Sequence, residues 1–252
     1  MRIKKNLWFY LISFIIVLIT IIIVLTPQES LFLKYFSNIA ETLSFLLASL
    51  LLFYFSFKYR NYKIIFLLQG IGFIFWVIGQ LLYTYYDIKS FSTLLSFNLC
   101  DPFFLLFYFF IFLSFYHLIK KYRLFLETKH YLITINFLIL SFLITIYYIF
   151  QFIDYSSLDK ITFIINALYP LLDILLLSML ILIYYLYKGG KISNAWRYYI
   201  IGFLMLLISD LLYFVLLNSS ISYFTKYIDK ISILWIISPL IIIIGVLNLI
   251  EI

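Results

Sequence analysis

Long apolar segments recur along the whole chain and are separated by short polar stretches. A helix needs about 20 apolar residues to cross a bilayer, and eight segments meet this length. A backbone in lipid must satisfy its own hydrogen bonds, so each segment is predicted to be helical. The alternation of polar and apolar residues that would favour a barrel is absent. The predicted spans are 7–25, 39–57, 64–86, 99–119, 131–152, 161–187, 196–217 and 231–250.

The predicted fold is an all-α, polytopic integral membrane bundle in which residues 1–252 form a single transmembrane domain. Composition agrees, because 66% of the residues are hydrophobic and 12% are charged, too few polar residues for a soluble domain of this size. The first span follows the basic residues Arg2, Lys4 and Lys5 and could therefore be a signal peptide. Its length, and the lack of a small-residue cleavage site in LTPQES, favour a retained helix.

Basic residues are distributed unequally between the two sides of the predicted membrane domain. With the N-terminus in the cytoplasm, thirteen of the 18 Lys and Arg residues fall on the cytoplasmic side. Cytoplasmic loops are enriched in Lys and Arg, so both termini are predicted to be cytoplasmic in a cell membrane. The net charge of +7 lies in these loops, where its expected partner is the anionic lipid bilayer and no nucleic acid is required. The five basic residues on the outer side are Lys34, Lys89, Lys160, Lys226 and Lys230.

Two parts of the chain are similar to each other at a fixed offset of 130 residues. The segment IGFIFWVIGQLLY (71–83) aligns with IGFLMLLISDLLY (201–213) at seven identical positions, and the alignment pairs Gln80 with Asp210. A true duplication predicts two parallel three-helix units, helices 2–4 and 6–8, with helix 5 between them and helix 1 added to a seven-helix core. Binding sites of such proteins tend to lie where the units meet. Chance similarity in a chain rich in Leu and Ile is the alternative.

Carboxyl groups lie inside the predicted spans, where a charged side chain costs a few kcal/mol. Asp173 and Asp210 lie deepest, about 15 and 10 Å from the outer ends of their helices at about 1.5 Å per residue. No Lys or Arg lies deep inside a span to neutralise them, since Arg197 is at the inner end of its span, so both are predicted to face one cavity in the outer half. Protonation, donors such as tyrosine, or a bound cation would each satisfy them. The predicted ligand-binding residues are Asp173, Asp210, Tyr169, Tyr213, Asp101, Glu41, Gln80 and Asn166.

Pro170 lies three residues before Asp173 in the sixth span. Proline removes one backbone hydrogen bond and crowds the carbonyl of the residue four positions earlier, here Asn166, so a bend is predicted in this helix. The simpler alternative is that these polar groups only hold helices together, with each group stabilising helix association by about 1 kcal/mol. Several acids in one half of the membrane, without basic partners, favour a pocket over this alternative.

These positions suggest a switch mechanism. A change in the charge of Asp173 would bias the bend at Pro170 and move the inner end of the sixth helix. That end is followed by Lys188, Gly189 and Gly190. The two glycines are either a hinge or the usual end of a helix, where glycine is common.

Four segments resemble the multi-helix membrane sensor region that precedes histidine kinase, PAS or diguanylate cyclase domains in prokaryotes. This resemblance implies a membrane-embedded module that senses a small ligand, cation or proton and signals to a cytoplasmic kinase or cyclase. No output domain follows the eighth span, so the chain is expected to be a sensor separated from its output protein, a shortened chain, or another protein with the same bundle. The segments are WVIGQLLYTYYD (76–87), FNLCDPFFLLFYFF (97–110), LYPLLDILLL (168–177) and ISDLLYFVL (208–216).

Several other classes of membrane protein lack support in the sequence. A retinal protein needs a lysine deep in its last helix, and the eighth span has none. The two histidines, His117 and His130, are too few and on the wrong side for a zinc hydrolase. No nucleotide-binding or hydrolase motif is present, so neither an enzyme activity nor a cofactor or metal is predicted. A small-solute transporter built on the parallel three-helix repeat remains the alternative to a sensor, with a membrane enzyme third.

Overall fold

The described part of the chain is entirely helical apart from short connections. The computed structural model describes residues 2–27, 30–88, 99–152, 160–189, 193–217 and 228–249, with side chains except at 2–9, 87–88, 148–152, 160–163, 166, 215–217 and 228–229. No strand occurs in these ranges. The α-helices are α1 (Arg2–Leu25), α2 (Leu31–Lys58), α3 (Lys63–Ile88), α4 (Asp101–Tyr122), α5 (Thr128–Phe152), α6 (Lys160–Tyr187), α7 (Ser193–Leu217) and α8 (Ile228–Leu249), with 3-10 turns at Arg60–Tyr62 and Arg123–Phe125.

Six of the helices form a closed ring. Following the contacts, α2 packs on α3, α3 on α4, α4 on α6, α6 on α7, α7 on α8, and α8 returns to α2. The remaining two helices lie outside this ring, where α1 packs mainly on α8 and α5 packs mainly on α6. This arrangement directs one side of each ring helix to a common interior.

The predicted membrane helices agree with the structure at the level of a multi-pass helical bundle. Among the residues whose side chains are described, seven helices, α2 to α8, contain segments long and apolar enough to cross a membrane, and the described part of α1, Tyr10–Leu25, is apolar as well. Seven of the eight predicted spans are thus supported. The largest difference in a boundary is at α2, which begins at Leu31 rather than at residue 39. The Ser30 hydroxyl accepts a hydrogen bond from the N–H of Leu33 at 3.1 Å, and this cap starts the helix early.

The early start of α2 changes the depth of Glu41. The sequence places this residue near the outer end of its helix, because Lys34 is assigned to a loop. In the structure Lys34 lies in the first turn of α2, and Glu41 lies ten residues after Leu31, about 15 Å along the helix. Glu41 therefore lies well inside its helix, although less deep than Asp173, which lies thirteen residues, about 20 Å, after Lys160 at the start of α6.

Helices α3 and α7 approach each other inside the ring, and two of their contacts join residues 130 positions apart. The Gln69 side chain hydrogen-bonds the Tyr199 hydroxyl. About one turn nearer the predicted outer side, the Phe73 and Phe203 rings lie 6.2 Å apart between centroids. Phe73 and Phe203 each lie seven residues, about 10 Å, from the polar residues Gln80 and Asp210 of the same helices.

A layer of phenylalanines fills the middle of the interior. Phe73 is 6.0 Å from Phe107 and 5.2 Å from Phe45, and Phe203 is 4.9 Å from Phe115, between ring centroids. All five rings are inaccessible to solvent. Water is excluded from this layer, which we call the phenylalanine layer, so polar groups above and below it are separated.

Glycines bring the backbones of α7 and α8 into close contact. A Cβ atom on Gly202 would lie 2.6 Å from the Ile242 side chain and 2.8 Å from the carbonyl oxygen of Ser238. A Cβ atom on Gly245 would lie 2.6 Å from the backbone nitrogen of Tyr199. The close approach of two helices through small residues is a common way to pack helices in membranes.

We expect Gly202→Ala and Gly245→Ala to destabilise the protein by about 1–3 kcal/mol or more, because a helix backbone cannot move aside for the added methyl group. Gly79→Ala is the matched control, since its Cβ would meet only the Phe104 ring, at 2.9 Å, and a side chain can rotate. Thermal unfolding in detergent measures the difference. Equal losses of stability for Gly79→Ala and Gly202→Ala would show that α7 and α8 are not packed this closely.

Two prolines lie within continuous helices. Pro170 is buried inside α6, which continues through this position as one helix, and the bend there stays a prediction. Pro239 lies inside α8, and the Ser238 hydroxyl donates a 3.1 Å hydrogen bond to the Trp235 carbonyl, whose usual partner would be the missing N–H of Pro239. Gly189 follows α6 with φ of 87°, as is usual for the glycine that ends a helix, and Gly190 lies outside the described residues.

Candidate functional site

A tyrosine hydroxyl lies between the two deep aspartates. The Tyr108 hydroxyl oxygen is 2.6 Å from Asp173 Oδ1 and 2.9 Å from Asp210 Oδ2. Helices α4, α6 and α7 supply one residue each, so the contact depends on the ring arrangement of the helices. Asp173 and Asp210 thus lie together inside the bundle, as the sequence predicted.

Both contacts are hydrogen bonds only if the three groups hold one more proton than two carboxylates and a tyrosine supply. A tyrosine has one hydroxyl hydrogen, so it can donate to only one of its two neighbours. The second short contact is a hydrogen bond only if the other carboxyl group is protonated and donates to the tyrosine oxygen. The group therefore carries one exchangeable proton, or its charge is balanced by a cation.

Electrostatic repulsion supports the same conclusion. The two contacting carboxyl oxygens are at most about 5.5 Å apart, since both are within hydrogen-bonding distance of one oxygen atom. Two full negative charges at that separation repel by about 3 kcal/mol at an effective dielectric constant of about 20. This disfavours the doubly charged state by roughly a hundredfold.

The indole of Trp235 completes the group, which we call the acid cluster: Tyr108, Asp173, Asp210 and Trp235. The Trp235 N–H donates a hydrogen bond to Asp210 Oδ1. The Tyr213 ring packs edge-on against this indole, with the centroids 5.3 Å apart. The structure thus places Tyr213 next to the acid cluster, where its ring contact is with Trp235.

A second polar group links α2 and α3. The Trp76 indole N–H donates to Glu41 Oε1 at 2.9 Å. The Gln80 amide nitrogen donates to Asn38 Oδ1 at 3.3 Å and to Glu41 Oε2 at 3.4 Å. Glu41 is buried and is close enough to Asp210 to interact with it electrostatically. Glu41 and Gln80 thus lie beside the acid cluster rather than inside it.

A third pair lies at the start of α4. The Tyr169 hydroxyl donates to Asp101 Oδ1 at 2.8 Å. The sequence predicts that Tyr169 lies beside Asp173, which follows it by one turn of α6. In the structure Tyr169 bonds Asp101 instead. Its ring contacts the acid cluster through the Tyr108 ring, with the centroids 6.0 Å apart. The side chain of Asn166 lies outside the described residues.

Accessibility differs between the members of the site. Asp173, Tyr108 and Glu41 are buried. Asp210 and Asp101 are partly accessible. Because Asp210 touches Tyr108, which touches Asp173, the acid cluster extends from a partly accessible carboxyl group to one that is 1% exposed.

Basic residues do not neutralise the acid cluster. In the described membrane helices every Lys and Arg lies within about the first or last two turns, whereas Asp173 is near the middle of α6. The ion pair of Lys129 with Glu127, at 2.7 Å, lies at the connection before α5, where this contact lowers the pKa of Glu127. Among the described residues, no three His, Cys, Asp and Glu side chains form a group that could hold a metal ion.

The predicted ligand-binding residues leave out three residues of this site: Tyr108, Trp76 and Trp235. Each supplies the donor that an acid requires, and each lies on a helix different from that of its acid. Tyr108 lies in the segment that resembles sensor proteins, but the resemblance gives it no role of its own. Tyr108 is an aromatic hydroxyl in an otherwise apolar segment. This feature would have identified it as a possible donor to two acids that have no basic partner.

Comparison with known proteins assigns neither a family nor a function to the chain. The chain matched no protein family, no curated protein and no solved structure. The interpretation of the site therefore depends on its own residues. Those residues can hold and release one positive charge in a largely buried position.

Proposed function

We propose that this protein is a membrane-embedded sensor whose acid cluster binds one positive charge, as a proton, a cation or a small cationic ligand. The observation that carries the proposal is the single Tyr108 hydroxyl between two carboxyl oxygens. This arrangement has two states, one with the positive charge and one without it. The states differ in hydrogen bonding and in repulsion between α6 and α7, so binding changes the forces between two helices.

The positive charge enters from the outer side of the membrane in this proposal. The excess of basic residues on one side supports cytoplasmic termini, and the acid cluster then lies in the outer half. Partly accessible Asp210 and Asp101 lie between the outer surface and buried Asp173. The phenylalanine layer closes the path toward the cytoplasm.

The signal would leave through the inner ends of α6 and α7. These helices carry Asp173 and Asp210, and both are continuous to the connection near Gly189. A change of charge at the acid cluster alters their separation or tilt, which a cytoplasmic kinase or cyclase partner would detect. The resemblance to prokaryotic sensor regions supports this type of partner, and the lipid bilayer surrounds the bundle.

The proposed orientation predicts that both termini are cytoplasmic. A C-terminal reporter that is active only in the cytoplasm should therefore be active in cells, and an alkaline phosphatase fusion, which works only outside, should be inactive. The same pair of reporters placed in the connection after α4, near Glu127, is the matched control, because that connection is also expected inside. Phosphatase activity at the C-terminus would contradict the orientation and the outward-facing site together.

A small-solute transporter is the second candidate, and a specific observation supports it. The contacts between Gln69 and Tyr199 and between Phe73 and Phe203 join positions that the internal alignment equates. Such contacts are expected if two duplicated units face each other across a two-fold axis, as in many transporters. The alignment also places Gly72 and Gly202 in equivalent positions, and each abuts the following helix of its own unit.

Measurements of proton and cation flux distinguish the sensor from the transporter. The sensor hypothesis predicts that proteoliposomes containing the protein take up no protons or small cations beyond the rate of empty liposomes, because the phenylalanine layer blocks the interior. Phe73→Ala combined with Phe203→Ala serves as the positive control, since removing two rings from the layer should raise the leak. Saturable uptake by the unmodified protein would favour the transporter over the sensor.

A further inference from the structure

A second group of polar side chains lies at the predicted inner end of the bundle, on the other side of the phenylalanine layer from the acid cluster. Three of its atoms are buried and have no hydrogen-bond partner among the described protein atoms: Gln69 Oε1, Tyr187 Oη and Trp196 Nε1. Gln69 and Trp196 are inaccessible, and Tyr187 is 8% exposed. An unsatisfied buried group costs about 1–3 kcal/mol, and native proteins satisfy nearly all of them. Three in one region indicate that something binds there.

The three side chains belong to one series of contacts. The Tyr187 ring at the end of α6 stacks on the Trp196 indole at the start of α7, with centroids 4.0 Å apart and planes within 6°. Trp196 packs edge-on against Tyr199 at 4.8 Å. The Tyr199 hydroxyl in turn accepts a hydrogen bond from the Gln69 amide. The unsatisfied atoms are thus concentrated between α3, α6 and α7.

The Tyr62 hydroxyl lies at the opening of this region. It faces both Tyr187 and Trp196, yet neither makes a hydrogen bond of normal geometry with it. Neighbouring polar groups that do not bond each other directly are common partners of a bridging water molecule. Tyr62 and Tyr122 are partly exposed, and their rings pack 5.9 Å from Trp196 and 6.1 Å from Tyr187. They connect the buried atoms with the inner surface.

The chemistry of the unsatisfied atoms determines what can bind. The indole N–H of Trp196 can only donate, the amide oxygen of Gln69 can only accept, and the hydroxyl of Tyr187 can do both. An anion would leave the amide oxygen unsatisfied, and a cation would leave the indole N–H unsatisfied. Water donates and accepts, and it requires about two to four polar partners, which these residues supply.

We propose that the inner end of the bundle is a hydration site, with ordered water bound between Tyr62, Tyr187 and Trp196 and hydrogen-bonded onward to Gln69. This inference does not depend on the proposed sensor function. It implies that the dry part of the interior is no thicker than the phenylalanine layer. It also implies that exchangeable water contacts the inner ends of α6 and α7, beside the stacked rings of Tyr187 and Trp196.

X-ray radiolytic footprinting in a lipid nanodisc tests the proposal, because radicals formed from bound water label the side chains that touch it even when bulk solvent has no access. We expect Trp196 and Tyr187 to be labelled several-fold faster than Trp76. Trp76 is the matched control, since it is a buried tryptophan whose indole N–H is already bonded to Glu41.

The variant Tyr62→Phe keeps the ring and removes one of the partners of the water. It should lower the labelling of Trp196 several-fold and leave that of Trp76 unchanged. Labelling of Trp196 no faster than that of Trp76 would overturn the proposal. So would rapid labelling that Tyr62→Phe does not alter, because the radicals would then come from bulk water.

Discussion

Asp173→Asn should abolish the response of the protein to external protons or cations while leaving the fold intact. In this variant the new amide N–H at position 173 can donate to the Tyr108 oxygen, and Tyr108 can donate to Asp210. All hydrogen bonds of the acid cluster are then made without an exchangeable proton, so the variant is fixed in the arrangement of the occupied site. Proton uptake on acidification from alkaline pH should fall by about one per molecule, and the activity of a fused or partner output domain should no longer follow external pH.

Two further variants make this test specific. Asp210→Asn should have the same effect, because its amide oxygen can still accept from Trp235 while its N–H donates to Tyr108. Glu127→Gln is the control, since Glu127 is exposed and paired with Lys129 in a connection between helices. If Asp173→Asn responds like the unmodified protein, the acid cluster is not the sensing site.

Tyr108→Phe should both destabilise the protein and remove its response. The described residues give Asp173 one hydrogen-bond partner, Tyr108, whereas Asp210 keeps Trp235. Loss of the hydroxyl leaves Asp173 buried and unsatisfied, at a cost of about 1–3 kcal/mol. Thermal unfolding measures the resulting decrease in stability. Tyr116→Phe is the matched control on the same helix, because Tyr116 is 50% exposed.

The destabilisation should be reversible by a second substitution. Replacing both partners of a buried hydrogen bond by apolar groups is nearly neutral, although removing one is costly. The double variant Tyr108→Phe with Asp173→Leu should therefore be more stable than Tyr108→Phe alone, yet unresponsive. Equal stability of Tyr108→Phe and Tyr116→Phe would show that Tyr108 does not satisfy Asp173.

The course of the helices could be predicted because lipid imposes one simple rule on the sequence. Apolar length alone places α3 to α8 within a few residues of their observed ends. The rule fails at α2, where Lys34 interrupts the apolar run but the Ser30 cap starts the helix before it. A short-range hydrogen bond decided the boundary there, and hydropathy does not contain that information.

The site could be predicted only in part, because contacts between helices are not local in sequence. The cost of a buried charge indicated that Asp173 and Asp210 face inward. Their partner could not be derived from helical periodicity, since Tyr108 is supplied by α4 and lies 65 residues from Asp173 in the chain. Periodicity instead suggested Tyr169, on the same helix as Asp173, which bonds Asp101.

Infrared spectroscopy of the protonated carboxyl group tests the central claim most directly. In the reconstituted protein at neutral pH, without added metal or organic cations, we expect a C=O stretching band of a protonated carboxylic acid. Asp173→Asn and Asp210→Asn should each remove the component of this band that the acid cluster contributes, because each variant satisfies Tyr108 without the extra proton. Glu41→Gln should retain that component and identifies the contribution of the buried Glu41 carboxyl group. A spectrum without such a band, or a band that only Glu41→Gln removes, would contradict a proton held between Asp173 and Asp210.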